Sequence, residues 1–248
     1  MKRHQLVKLK VQSLLSFTVH LFLALPEALI VFGLFSTKVY HKERLKHLKP
    51  PFLIVSNHLS LVDSWFGNFG VGFPQFYWKP WFFPWSVAEA TNYFRGLLGV
   101  FIWLSRAIPI KRGGTPIEQA LTLEKIEAVL EMGEGVYVFP EGTRSRTGRM
   151  GKSTPGVGRV YRQVPDCTLL PIYLRGAENV LPIGAKFIRF FKKVDVVIGE
   201  PVKLTCEAEG LHASKLMAEK IYNILLEMEK DYFASDQYRS KEIMAEKA

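Results

Sequence analysis

Ile54-Val55-Ser56-Asn57-His58-Leu59-Ser60-Leu61-Val62-Asp63 is the stretch on which the reading of this chain turns. Phe52 to Ser56 is a short apolar run of the kind that forms a buried strand. It ends in Asn57-His58, polar groups at a strand end, where α/β folds expose reactive side chains. A helix can begin between Leu59 and Phe66, with Asn57 or Ser60 as cap. Four residues separate His58 from Asp63, so across a turn and the start of a helix the carboxylate reaches back to the imidazole. A carboxylate on one ring nitrogen fixes the tautomer and leaves the other free as a general base. His and Asp at this spacing also occur by chance, as a loop histidine beside a solvated aspartate, so the pair by itself decides little.

A second stretch supplies the missing specificity. Val136-Tyr137-Val138-Phe139 reads as a strand and runs into Pro140-Glu141-Gly142-Thr143-Arg144-Ser145, turn residues that carry an arginine. The two stretches, in this order and about eighty residues apart, resemble the first and third conserved blocks of the glycerolipid acyltransferases of the 1-acylglycerol-3-phosphate acyltransferase type. The resemblance covers roughly residues 50 to 205. It implies acyl transfer to a lysophospholipid, with His58 and Asp63 as catalytic pair and Glu141, Gly142, Thr143 and Arg144 on the acceptor. From the residues themselves, Gly142 lets the backbone turn tightly, Arg144 can pair with a phosphate, and Glu141 can hold a basic or hydroxyl partner. Asn57, beside the histidine, is counted with the substrate-binding residues.

A second block of that family is usually Gly-Ala-Ile-Pro-Val-Asp-Arg. Here Arg106-Ala107-Ile108-Pro109-Ile110-Lys111-Arg112 takes its place, with arginine for the glycine and lysine for the aspartate. Arg112 matches the arginine that the resemblance assigns to the acceptor phosphate. Adjacent cations at a strand end suit a phosphate, and also suit a solvated basic turn. Leu169-Leu170-Pro171-Ile172-Tyr173-Leu174 resembles the fourth block, Pro171 being its marker; such a proline either shapes the acyl pocket or ends pairing at a strand edge. The Phe-Lys-Lys-Gly of relatives is replaced by Ser153-Thr154-Pro155-Gly156, with basic residues at Lys152 and Arg159 instead. Gly151-Lys152-Ser153 is no phosphate-binding P-loop, because its first glycine would fall on Arg146.

A chain of 248 residues, 48% hydrophobic and 13% aromatic, is long enough for one well-buried domain and excludes disorder. The net charge of +10, from 33 basic and 23 acidic residues, calls for an anionic partner. No zinc-finger or RNA-recognition signature accompanies it, so nucleic acid is not the expected one. Cys167 and Cys206 have neither metal-ligand spacing nor a disulfide framework, so no metal site is expected.

The N-terminus opens basic, runs apolar from Val11 to Ser36 and becomes basic again. Pro26-Glu27 lies in the run; a central glutamate costs roughly 2.5 kcal/mol or more in a bilayer, and both flanks are basic, unlike those of a crossing segment. Two short helices broken near Pro26 are therefore expected, dipping into one leaflet with their basic ends on anionic headgroups; a soluble core hairpin is the other reading. The prolines and aromatic rings between Phe73 and Trp85 rule out a long helix there and place a loop against lipid or at the acyl-chain opening, unless the rings fill the core. Tyr93 to Trp103 looks helical. Thr115-Pro116-Ile117-Glu118 has the form of a capping box that opens a helix ending at Gly133, Val194 to Ile198 is a strand, and Leu216 to Met228 carries a helical apolar stripe.

The expected architecture is an α/β fold, a mixed, mostly parallel sheet flanked by helices as in glycerol-3-phosphate acyltransferases, preceded by a membrane-associated helical pair. Residues 1–49 would be that pair and its linker, 50–232 the catalytic domain and 233–248 a charged tail. The resemblance implies acyl-CoA or acyl-carrier protein as donor, no further cofactor, a lysophospholipid acceptor (1-acylglycerol-3-phosphate, lyso-ornithine lipid or another) and a place on the cytoplasmic face of a membrane. The rival from another class is a non-catalytic lipid-binding protein of the same fold.

Overall fold

Five consecutive buried residues, Phe52–Ser56, form strand β2 at the middle of the sheet. A strand covered on both faces needs an unbroken apolar run, and this one has it. Side-chain alternation sends Phe52 and Ile54 to one face and Leu53 and Val55 to the other. The computed structural model describes residues 3–90, 94, 96–111 and 113–235. Around β2 run β1 (Lys38–Tyr40), β3 (Trp85–Glu89), β4 (Ala107–Ile110), β5 (Gly135–Val138), β6 (Thr168–Arg175) and β7 (Asp195–Ile198). Their order is β1-β7-β6-β2-β5-β3-β4. The run from β6 to β4 is parallel throughout; β7 lies antiparallel to β6, and β1 follows β7 in parallel. The expected mixed, mostly parallel sheet is what the chain forms.

Helices α1 (Arg3–Ala28), α2 (Asp63–Gly72), α3 (Gly96–Leu104), α4 (Pro116–Glu131), α5 (Pro155–Gln163), α6 (Ala177–Val180) and α7 (Gly210–Ala234) cover the two faces. One core joins Phe52, Ile54 and Tyr137 to Phe66 and Phe69 of α2 and to Phe76, Phe82 and Phe83. The other joins Leu53, Val55 and Val136 to Ile126 and Val129 of α4, Val160 of α5 and Ile221 and Leu225 of α7. The capping box at Thr115 is formed in both directions: the Thr115 hydroxyl accepts from the Glu118 amide, and Glu118 accepts from the Thr115 amide at 2.8 Å. Helices α5 and α7 cross at Gly158, where an added Cβ would stand 2.1 Å from the Ser214 carbonyl oxygen.

Two expectations are corrected. The N-terminal segment is not a pair of helices: α1 runs unbroken through Pro26 and continues as a wider π-helical turn over Leu29–Leu34. Proline lacks the N–H that would bond Phe22 and its ring crowds that carbonyl; the helix persists to Ala28 and its hydrogen bonding shifts to i→i−5 just beyond, as in the Phe35 amide bond to Ile30 at 3.1 Å. The aromatic stretch from Phe73 to Trp85 fills the core: two short 3-10 turns bury Phe76, Phe82, Phe83 and Trp85, and only Trp78 among these rings stays well exposed. Trp85 then opens β3, a strand not foreseen, as β1 was not.

Helix α1 is built inside out. Its outward residues include Leu14, Phe22, Leu25 and Leu29, whereas Gln12, Ser13, Ser16 and His20 are buried against the domain. Of the inward polar groups, Gln12 donates to the Trp103 carbonyl at 2.8 Å and Ser13 to Glu134 at 2.6 Å, whereas the buried Ser16 hydroxyl has no hydrogen-bond partner among the described residues. Arg106 closes this seam, donating to the Ser13 hydroxyl at 2.9 Å and the Phe83 carbonyl at 2.7 Å, and pairing with Glu134 at 3.2 Å. Its φ is +55°, the left-handed region that favours glycine. That accounts for the glycine usual at this position in the family that the sequence resembles.

Replacing Arg106 by Gly relieves backbone strain of about 1 kcal/mol but leaves Glu134 and the carbonyls of Ser13, Pro80 and Phe83 without their buried cation, a loss of about 3 kcal/mol. The second effect wins. R106G is expected to lower unfolding stability by about 2 kcal/mol, read from the chemical denaturation midpoint.

Candidate active site

Parallel pairing of β2 with β5 sets Val55 opposite Val138, so the residues that leave the two strand ends, Asn57-His58 and Phe139-Pro140-Glu141, emerge side by side. This is the carboxyl end of the sheet, where open α/β folds place their ligands. His58 Nδ1 lies 2.8 Å from Asp63 Oδ2. Asp63 is the first residue of α2 and is fully buried. The same Oδ2 accepts the backbone amides of Leu59 at 2.6 Å and Ser60 at 2.7 Å. Burial pushes the Asp63 carboxyl up from its ordinary value, opposed by the His58 hydrogen bond and those two amides. With a carboxylate on Nδ1, the proton sits there and Nε2 is left as the basic nitrogen. The imidazole stacks on Phe139, ring centroids 3.9 Å apart and planes at 12°.

The two sequence stretches are fastened to each other around this histidine. The His58 amide donates to Glu141 Oε1 at 2.8 Å, the Ser145 amide donates to the His58 carbonyl at 2.7 Å, and Glu141 Oε2 accepts the Gly151 amide at 2.7 Å. Glu141 is buried, and its carboxyl is raised chiefly by desolvation, against the bonds from Gly151 and His58. Both of its oxygens are engaged by backbone amides, so its structural occupation is that of a clasp. Gly142, at φ +65°, turns the chain after it.

The remaining expected site residues are placed as follows. Asn57 is buried with its side chain paired to β6, donating to the Leu174 carbonyl at 2.9 Å and accepting the Leu174 amide at 2.8 Å. Gly142 and Thr143 are exposed, and Arg144 is half-buried with no side-chain partner among the described residues. Pro171 sits in an interior strand, opposite Val55, where the ladder to β7 gives way: Ile172 pairs with Ile198, the Pro171 carbonyl accepts from the Gly199 amide at 2.9 Å, and Leu169 bridges Val202. Arg112 lies outside the described residues. Phe139, Ser145 and Gly151 join the site unannounced; the signal for Phe139 is its place at the end of the second strand, one residue before the turn.

His58 opens on a cavity of about 670 Å³ whose walls include Val87, Ile110, Leu123, Ile126 and Val160, with Gly142 at the site and the exposed cations Lys111 and Arg159 along it. An imidazole with its far nitrogen on a buried carboxylate, beside an apolar cavity with basic residues, suits deprotonation of an alcohol next to a long hydrocarbon chain.

A family model for acyltransferases matches residues 36–175, which hold both sequence stretches. The chain belongs to the acyltransferase family. It is 28% identical over 184 residues to the 1-acyl-sn-glycerol-3-phosphate acyltransferase LPAT1, chloroplastic, of Arabidopsis thaliana, covering 74% of this chain and 48% of that one. To tafazzin of Drosophila melanogaster it is 30% identical over 179 residues, covering 67% of this chain and 46% of that protein. The acyltransferase thus spans about half the length of these curated relatives. Its fold resembles the crystal structure of the 1-acyl-sn-glycerophosphate acyltransferase PlsC of Thermotoga maritima, with a TM-score of 0.58 at 20% identity over 80% of this chain and 73% of that one.

Replacing Glu141 by Gln leaves one acceptor oxygen for two amides and turns an amide NH₂ toward the other. E141Q is expected to lose about 1–3 kcal/mol of stability, and its kcat should fall while acyl-donor binding, measured by titration calorimetry, is retained.

Proposed function

We propose that this acyltransferase moves a fatty acyl group from an acyl thioester, acyl-CoA or acyl-carrier protein, to the free hydroxyl of a lysophospholipid at a membrane surface, with 1-acylglycerol-3-phosphate as the first acceptor to test. The observation that carries the reading is the His58 imidazole, held on Nδ1 by a fully buried carboxylate and open to an apolar cavity. The names of the plant relatives support the acceptor class.

In this mechanism His58 Nε2 takes the acceptor hydroxyl proton as the oxygen attacks the thioester carbonyl. Asp63 holds the ring and stabilises the imidazolium. The tetrahedral intermediate collapses, expels the thiolate and returns the proton from His58 to sulfur. Transfer is direct. In support, no Ser, Thr or Cys hydrogen-bonds the imidazole among the described residues; the Ser60 hydroxyl donates to the Leu181 carbonyl at 2.8 Å, and burial pushes the Cys167 thiol up to about 12.

The oxyanion needs donors, each worth about 100-fold or more in rate. The amides of His58, Leu59, Ser60, Gly142 and Ser145 are already committed within the protein. Those of Thr143 and Arg144 have no such partner among the described residues, and they follow Gly142 at the cavity wall; we assign the oxyanion to them. The Arg144 guanidinium, with Arg112 and the cavity cations Lys111 and Arg159, serves the acceptor phosphate. The outward apolar face of α1 supports a seat in one leaflet.

An assay with radiolabelled acyl-CoA and, in parallel, radiolabelled acyl-carrier protein over a panel of lysolipids tests the reading directly; product with no acceptor from either donor would end it. His58→Ala is expected to lower kcat by about 100- to 10,000-fold with the fold intact by circular dichroism. Asp63→Asn should lose less than H58A, because an amide oxygen in the Oδ2 position can still accept all three hydrogen bonds, while the lost charge and the amide NH₂ left without an acceptor at the Oδ1 position lower both activity and stability. Arg144→Ala should raise the KM of a phosphate acceptor strongly and leave the donor KM unchanged.

A further inference from the structure

Lys186-Phe187-Ile188-Arg189-Phe190-Phe191-Lys192-Lys193 is a loop between α6 and β7 in which all eight residues are exposed. Phe187 and Phe191 are 82% and 81% exposed, and Ile183 and Ile188 join them at the surface. Single apolar residues on a surface need no explanation, but a contiguous group of this kind does. Phe191 has φ +59°, a conformation costly for a bulky side chain and kept where the surroundings enforce it. The turn points consecutive rings in different directions. Phe190 stacks on the buried Phe35, centroids 6.0 Å apart and planes at 17°, while Phe191 stands outward.

Two further observations say what covers this loop. Phe35 caps the π-helical turn that continues α1, so the loop adjoins the end of the helix whose outward face carries Phe22, Leu25 and Leu29. Lys186, Arg189 and Lys192 are interleaved with the rings, and their side chains form no ion pair among the described residues. Exposed rings between free cations match a bilayer surface with anionic headgroups, where the apolar groups enter the acyl boundary and the cations meet the phosphates. The loop is also tied to the catalytic turn. Its base is closed by the Arg189 amide on the Val180 carbonyl at 2.8 Å, and the next carbonyl, that of Leu181, accepts the Ser60 hydroxyl two residues after His58.

We propose that residues 183–193 form a second membrane-docking element, specific for anionic lipid, which together with α1 holds the His58 side of the domain against the headgroups. The inference rests on reading the outward face of α1 as membrane-facing, and the test separates the two.

Phe187→Trp and, separately, Leu25→Trp are introduced into the full chain, which is mixed with vesicles of brominated phosphatidylglycerol and phosphatidylcholine, or of brominated phosphatidylcholine alone. On the anionic vesicles the fluorescence of both variants, relative to the parent chain, should shift to the blue and be quenched. Lys186→Gln/Arg189→Gln/Lys192→Gln should lower partition onto these vesicles, measured by sedimentation, by about 100-fold, with little change on phosphatidylcholine alone. If L25W is quenched and F187W is not, the loop stays in water and the inference fails while the reading of α1 stands. If neither is quenched, both fail. Equal partition of the triple variant and its parent overturns the assignment to anionic lipid. Self-association of the chain in the absence of lipid, abolished by Phe187→Ser/Phe191→Ser, would give the loop to a second copy of the protein instead.

Discussion

One carboxylate oxygen organises the candidate active site. Asp63 Oδ2 receives the imidazole nitrogen and two consecutive backbone amides, so the conformation of the turn, the start of α2 and the orientation of His58 are fixed by a single acceptor. Hydrogen bonds to a charged acceptor are roughly twice as strong as neutral ones, and these three oppose the cost of complete burial, which still holds the carboxyl above its ordinary value and leaves Oδ1 without a partner among the described residues. The arrangement also explains the spacing in the sequence. The residues between histidine and aspartate supply the amides.

The second stretch matters because β5 is the parallel neighbour of β2. Strand pairing alone brings Glu141 beside His58, and its two oxygens then join the catalytic turn to Gly151. The two motifs are consequently one object, with Phe139 stacked on the imidazole as its floor. Substrate recognition is left to the groups that this framework does not consume.

Much of this was legible from local sequence. The buried strands at 52–56 and 169–174, the capping box at Thr115 and the histidine–aspartate pair each depend on residues a few positions apart. What escaped depends on distant partners. Asn57 looks like a polar ligand until Leu174, 117 residues away, is found to occupy it, and Glu141 until the His58 amide, 83 residues away, does so. Strand β3 was hidden because Trp85 belongs to a proline-rich aromatic stretch that resembles a lipid-contacting loop, and only the neighbouring strands make it extended. The polar stripe Gln12, Ser13, Ser16 and His20 went unread inside an apolar run, because its meaning required Glu134 and Arg106, 121 and 93 residues from Ser13.

That stripe bears on how the protein can be handled. In most membrane-anchored enzymes the anchor is a tether whose removal leaves a soluble domain. Here Glu134 binds Ser13 of α1, Trp85 of β3 and Arg106 at once, and the helix with the apolar outward face doubles as the lid over a buried ion pair. Cutting it away would hydrate that pair and the edge of the sheet beneath it, so α1 is a part of the enzyme's interior.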